Sequence, residues 1–312
     1  MPNAHTNLLT ALYSVYPDAA VLMNRHTAHM VVEGHQLMSQ QTIPGVEIHV
    51  KESGDAIELY ITIAEGVHVI NPIHTCIGLL AAQGKQHIRL HVRLERNASA
   101  ELLAHCMFPN AELVQHKMDA TVDIAEGAEL RHTEGHFHGP FGGIEVIPRA
   151  DVHVGPGGRY FSNFSLLTGR VGKLQILYKV ETADNAVAEI STRVFGHATD
   201  EIKIEDELIL SGKYSRGIIK TRVALEEDAR SEVIGITHGN AEGARGHMDC
   251  TELVRDRAVA KAEPIVNVEH PLAKVTHEAA VGTVDQKQLE TLMAHGLTPQ
   301  QAVDVIIMGL LR

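Results

Sequence analysis

Tryptophan is absent from this chain, and aromatic residues make up only 4% of it. The flat stacking surfaces on which carbohydrates and single-stranded nucleic acids are commonly held therefore have little to be built from. Positive charge is also in deficit. Against 39 Asp plus Glu stand 27 Lys plus Arg, a formal charge of −12, which argues against a broad phosphate-binding surface and so against a nucleic-acid partner. Cysteine occurs three times in 312 residues, too few for a disulfide scaffold. No apolar run approaches the roughly 20 residues that span a bilayer. The opening MPNAHTNLLTALYSV lacks a cationic region followed by a long apolar one, as a secretory leader would need. The expectation is a cytoplasmic protein with free thiols and no membrane partner.

Familiar catalytic signatures are missing too. There is no GxxxxGK[ST]; GRVGKL at 169–174 has the wrong spacing and no hydroxyl residue after the lysine, so this chain should not hydrolyse ATP by itself. GxSxG, HExxH and CxxC do not occur, which removes the best-known nucleophile and zinc patterns. The expectation is a non-catalytic protein.

What is present is a repeat. TNLLTALYSVYP at 6–17 reads as a short amphipathic helix ended by Pro17. After it, Ile57, Leu59, Ile61 and Ile63 alternate with other residues before AEG, and Ile88, Leu90, Val92 and Leu94 do the same before RNA, the period of strands running into turns. Turns near Glu65, Arg96, Glu126 and Pro156 recur at near-equal intervals, and IAEG occurs at both 63–66 and 124–127. Later turns are read near Asp206 and Glu227, at a shorter interval. Such self-similarity, at a period of roughly 20–30 residues, is the mark of a solenoid, each coil burying its apolar face on its neighbours. A right-handed parallel β-helix accounts for it better than a sandwich, whose turns should come every ~8–12 residues; a two-sheet or jelly-roll protein with irregular loops is the alternative. The division expected is a helical segment over 1–30, a β-helix core over 31–282 and C-terminal helices over 283–312. In the last part, Asp285 caps a helix with Gln288 reaching back, its face Leu289, Leu292 and Met293 and its end closed by Gly296. Thr298, Pro299 and Gln301 then start a second helix bearing Val303, Ile306, Ile307 and Leu310. These helices could cap the open end of a solenoid or dock a partner.

The residues able to bind metal are scattered. In GARGHMDC, His247, Asp249 and Cys250 lie within four positions, with His247 and Asp249 on one strand face and Cys250 on the other. In THEAA, His277 and Glu278 adjoin, an imidazole and a carboxylate that suit iron beside a thiolate. His277 follows Cys250 by about one coil, so Cys250 is expected to face His277 or Glu278 across neighbouring strands. Cys76, Cys106 and His136 are evenly spaced at the same period and form a second possible column. His132, His136 and His138 in RHTEGHFHG are a weaker third group. Each of these has an ordinary alternative as a buried hydrophobe, a hydrogen-bonded core group or a solvated charge.

GARGHMDCTELV at 243–254, the stretch from AKAEPIVNVEH to AHGL at 260–297, and TPQQAVDVIIMGLL at 298–311 closely resemble the C-terminal core of the SufB/SufD family of iron–sulfur cluster assembly scaffolds. SGKYSRGIIKTRVAL at 211–225 extends the likeness more weakly. The resemblance is to compact archaeal and minimal-system members, in which one such protein serves where others use a pair. It implies a right-handed parallel β-helix, homodimerisation through it, an ABC-type ATPase partner (SufC) bound by the C-terminal helices, and apo iron–sulfur proteins as recipients. Cys250 matches the family's cluster-assembly cysteine, and His277 with Glu278 match two of its ligand positions, around an iron–sulfur cluster assembled transiently. SufB members often carry a further glutamate where this chain has Thr276. Cys106 and Cys76 are candidates for a sulfur-accepting cysteine. The competing expectations are a cluster-free, SufD-like partner of the ATPase and a β-helix carbohydrate enzyme, which would need paired carboxylates in a groove.

Overall fold

The computed structural model describes residues 24–312; the helix expected at 6–17 lies outside them. The first strands are β1 (His29–Glu33), β2 (Gln36–Gln41), β3 (Val46–Ser53), β4 (Ala56–Ile63), β5 (Ile73–Gly78) and β6 (Gln83–Leu94). They continue as β7 (Ser99–Phe108), β8 (Leu113–Ile124), β9 (Glu129–His138), β10 (Ile144–Val154), β11 (Arg159–Thr168), β12 (Gly172–Thr182) and β13 (Val187–Gly196). The last are β14 (Glu201–Leu210), β15 (Arg216–Leu225), β16 (Arg230–Gly239), β17 (Arg245–Val254), β18 (Val259–Val268) and β19 (Lys274–Gly282).

From β5 onward the odd strands pair in parallel in one sheet and the even strands from β4 in another, so each full coil contributes one strand to each sheet. Antiparallel hairpins, β1 with β2 and β3 with β4, begin the stack. This is the parallel β-helix expected from the repeat. Inward side chains of both sheets meet in a continuous core, and the two alternating sets read from the sequence, Ile57–Ile63 and Ile88–Leu94, are buried within it. Each such side chain stabilises the stack by about 2 kcal/mol through the apolar area it removes from water.

The turns explain why the repeat holds. Between the even strand and the next odd one, a residue with positive φ recurs as Gly66, Asn97, Gly127, Gly157, Asn185, Tyr214 and Gly243. Backbone amides of several of these donate to carbonyls one coil on, as from Asn97 to Glu126 and from Tyr214 to Glu242. The opposite corner repeats the device at Ala198, Glu227 and Asp256. The turn expected near Asp206 is not there. Asp206 lies inside β14, in register with Tyr178, and is fully buried. An acidic residue on the inward phase mimicked a turn signal. The coil does not shorten in this half, as the even spacing of Ala198, Glu227 and Asp256 demonstrates.

Two helices follow: α1 (Gln286–Ala294) and α2 (Pro299–Leu310). The second cap is as read, Thr298 with Gln301 making a full capping box behind Pro299, whereas at the first Asp285 accepts from the Gln288 amide without the Gln288 side chain closing a box. The helices do not close the open end. In α2, Ile307, with Leu311 just beyond it, packs on Ala224, with Leu167, Phe195 and Leu253 around them, along the flank of the odd-strand sheet. No residue of α1 is buried. The last coil, β18 and β19, is consequently left largely exposed. Among the described residues no helix is long and apolar enough to cross a membrane.

Candidate functional site

Cys250 sits in the penultimate odd strand, half-buried and packed against the end of the core. Its inward phase is shared with Met248 and Glu252, both buried, whereas His247 and Asp249 point outward. Across the sheet Cys250 is in register with Thr221 on one side and Ala279 on the other.

The direct stacking of Cys250 on His277 or Glu278 is therefore corrected by the register. Met248 pairs with His277 and Asp249 with Glu278, because the coil here is longer than the stretch of chain from Cys250 to His277. His277 still shares the inward phase of β19 with Ala279, so it lies diagonally from Cys250, about 8 Å between Cα atoms from strand geometry. Glu278 belongs to the outward phase, yet it and Cys250 both line one small cleft, with Thr221, Gly235, Met248 and Pro264. His277 and Glu278 are exposed, since no coil follows β19. His247 bonds Thr276 through Nδ1 at 2.9 Å, on the face away from the Cys250 thiol.

The electrostatics around Cys250 oppose a free thiolate. Burial pushes the thiol up to about 12, the nearby Glu252 adds to this, and the Arg222 guanidinium works against it. Arg222 is mainly engaged with Asp249, whose carboxyl it holds below the usual range. Behind Cys250 the interior is polar. Glu252 is bonded to Ser231 and is pushed up to about 7 by burial; Asp206, with neither oxygen hydrogen-bonded among the described residues, is likewise pushed up to about 7. Sequence reading missed both. The signal was available in the alternation, which places an acid among Ile204 and Leu208, or between Met248 and Val254, on the buried phase.

The chemistry this permits is specific. A soft metal that replaces the thiol proton makes Cys250 a ligand, but the proton competes strongly for the sulfur. A cluster on one half-buried cysteine with oxygen and nitrogen donors at an open end is bound less firmly than one on four thiolates.

The second column is only partly as expected. Cys106 is in register with His136, but Cys76 stands opposite His105, one place off, because the step from β5 to β7 is slightly shorter than the separation of the two cysteines. Both thiols are buried, and burial pushes Cys76 up to about 12. His132, His136 and His138 all face inward.

A family model described as "SUF system FeS cluster assembly, SufBD core domain" matches residues 79–310. Among curated proteins, an iron–sulfur cluster assembly SufBD family protein of Methanocaldococcus jannaschii is 34% identical over 282 residues, 90% of this chain and 89% of that protein. One from Pyrococcus horikoshii is 29% identical over 311 residues, 98% of this chain and 94% of that protein. A third, from Archaeoglobus fulgidus, is 24% identical over 78% of this chain and 65% of its own length.

Proposed function

Because this chain belongs to the SufBD family of iron–sulfur cluster assembly proteins, we propose that it is a non-catalytic scaffold on which iron and sulfide assemble at Cys250. The observation that carries this reading is the meeting of Cys250 and Glu278 in one cleft at the open end of the solenoid, with His277 on the same face as the thiol. A borderline donor set of thiolate, carboxylate and imidazole suits iron. Iron displaces the Cys250 proton, and the proton's return on loss of iron favours handing the cluster on to an apo acceptor.

The open end also supports a homodimer through the β-helix. The edge strands β18 and β19 present unpaired backbone and the exposed Val259, Ile265, Val268 and Val281, a surface that invites pairing with a second copy. That copy would bring another Cys250 site close and let ligands be shared. For a SufC-type ATPase the surface is the helical tail, where Met293, Val305 and Met308 remain exposed. ATP hydrolysis in that partner drives the rearrangement that opens or closes the Cys250 cleft.

Anaerobic reconstitution with iron and sulfide, followed by optical and Mössbauer spectra of wild type and Cys250→Ala, tests the scaffold. A cluster in the first and none in the folded variant is expected. A cluster of undiminished amount in Cys250→Ala overturns the assignment, and no cluster in either, with the ATPase still bound, replaces it by a cluster-free structural partner.

A further inference from the structure

A second constellation lies well inside the stack, with Cys106 five strand spacings or about 24 Å from Cys250 along the odd-strand sheet. Cys106 of β7 and Glu134 and His136 of β9 are all buried, with a ligand atom from each within 4.8 Å of the others. Glu134 Oε1 is 2.7 Å from His136 Nε2 and 4.0 Å from Cys106 Sγ. We propose that these three side chains form a resident site for one divalent transition-metal ion, zinc or ferrous iron, distinct from the Cys250 site.

The hydrogen bonds behind His136 fix the tautomers. The Arg170 carbonyl only accepts, so the contact from His138 Nδ1 at 3.2 Å requires an N–H there. With His138 Nδ1 donating to that carbonyl, the other nitrogen of the ring, Nε2, can accept from His136 Nδ1 at 3.2 Å. The remaining nitrogen of His136, Nε2, then faces Glu134 Oε1. Two acceptors in such close contact need a cation between or beside them: a proton, or a metal ion that displaces it. The relay from His136 through His138 to a backbone carbonyl is also the outer arrangement that orients a metal-bound imidazole and strengthens it as a donor.

Polar groups left over point to the same site. Glu134 Oε2 and both ring nitrogens of His116 make no hydrogen bond among the described residues, although both side chains are buried. A buried polar atom without a partner costs about 1–3 kcal/mol. The His116 ring centre lies 6.0 Å from that of His136, a further imidazole beside the site. Thiolate and carboxylate together balance a dication, so the loaded site is neutral within an apolar core. The thiolate selects zinc or ferrous iron over magnesium and calcium. On binding, the Cys106 thiol proton and the proton shared by Glu134 and His136 leave to solvent, so one dication enters as two protons depart.

Cobalt(II) is the probe. The full-length protein is stripped with chelator, loaded with cobalt and desalted, then read by metal analysis and optical spectroscopy, with circular dichroism as the check of fold. Wild type and Cys250→Ala are both expected to retain one cobalt per chain with a thiolate-to-cobalt charge-transfer band. Cys106→Ser should lose that band, and Glu134→Gln and His136→Gln should weaken retention at least about tenfold. Should Cys106→Ser fail to fold, the other two variants carry the test. No cobalt retained by folded wild type, or a band that survives Cys106→Ser and vanishes in Cys250→Ala, overturns the proposal. Since Cys250→Ala serves as a background, failure of the scaffold assignment leaves this result readable.

Discussion

Strands β9 and β19 occupy equivalent places in the same sheet, yet they treat the same residue types in opposite ways. In β9, His132, Glu134, His136 and His138 are all buried; in β19, His277 and Glu278 are exposed. The difference is what lies on either side. β9 is covered by β7 and β11, whereas β19 has only β17. In a solenoid, burial is conferred by the neighbouring coil and not by the strand itself. An interior cluster is thus permanently enclosed and suited to a resident ion, while a cluster at the terminal coil remains open until a partner covers it and is suited to cargo.

Side-chain truncation should break this comparison most strongly. Phe164→Ala, in the covered coil of β11 and fully buried, is expected to cost about 3–5 kcal/mol. Val281→Ala, 47% exposed on β19, should change the stability of the isolated single chain by no more than about 0.5 kcal/mol. Urea unfolding of the two variants measures both, and comparable losses would mean that the last coil is covered in solution, as a dimer through it requires.

A smaller effect separates the two regions by pH. Asp206, enclosed in the core, has its carboxyl raised to about 7 from 3.8 by burial. Below about pH 4 it is protonated whether the chain is folded or not. Between about 4 and 7 only the unfolded chain ionises, so this group lowers stability as pH rises, and the full cost of a few kcal/mol is present above about 7. Asp206→Asn should therefore gain stability over wild type by a larger margin near pH 8 than near pH 5. An equal margin at both would contradict the assigned burial.

The smallest effects concern the tail. Thr298→Ala removes the cap of the docked helix α2 and should lower its amide protection by about 1 kcal/mol, without moving the unfolding of the solenoid. Asp285→Ala should fray only α1, which buries nothing. Hydrogen exchange reads both, and a shift in coil protection from Asp285→Ala would show that α1 is packed after all.

Much of this molecule was readable beforehand from local rules. The alternation in 57–63 and 88–94, the early turns and both helix caps depend on nearest neighbours along the chain, and the structure keeps them. Of the later turns, the one at Glu227 is legible in the sequence, while those at Ala198 and Asp256, also at positive φ, carry no glycine to mark them. Asp206 and Glu252 were missed as interior groups because an acid on a buried phase looks like a break in the pattern. Cys250, His277 and Glu278 were legible as residue types at roughly one-coil spacing, but a small error of register moved the direct partner of Cys250 to Ala279.

By itself the sequence determined the coiled architecture, since period-two alternation interrupted at regular intervals leaves each coil an apolar face that only another coil can bury. It determined the helix starts, which rest on hydrogen bonds between near neighbours in the chain, and it held the motifs that tie the chain to its family. Tertiary structure decided which side chains meet. Register depends on the count of residues through each turn, and a difference of one or two exchanges a ligand for an alanine. It also decided that α2 lies along the flank and leaves the last coil uncovered, because its apolar stripe finds Ala224, Phe195 and Leu253 there, and no local rule along the chain can say which distant surface a helix will bury.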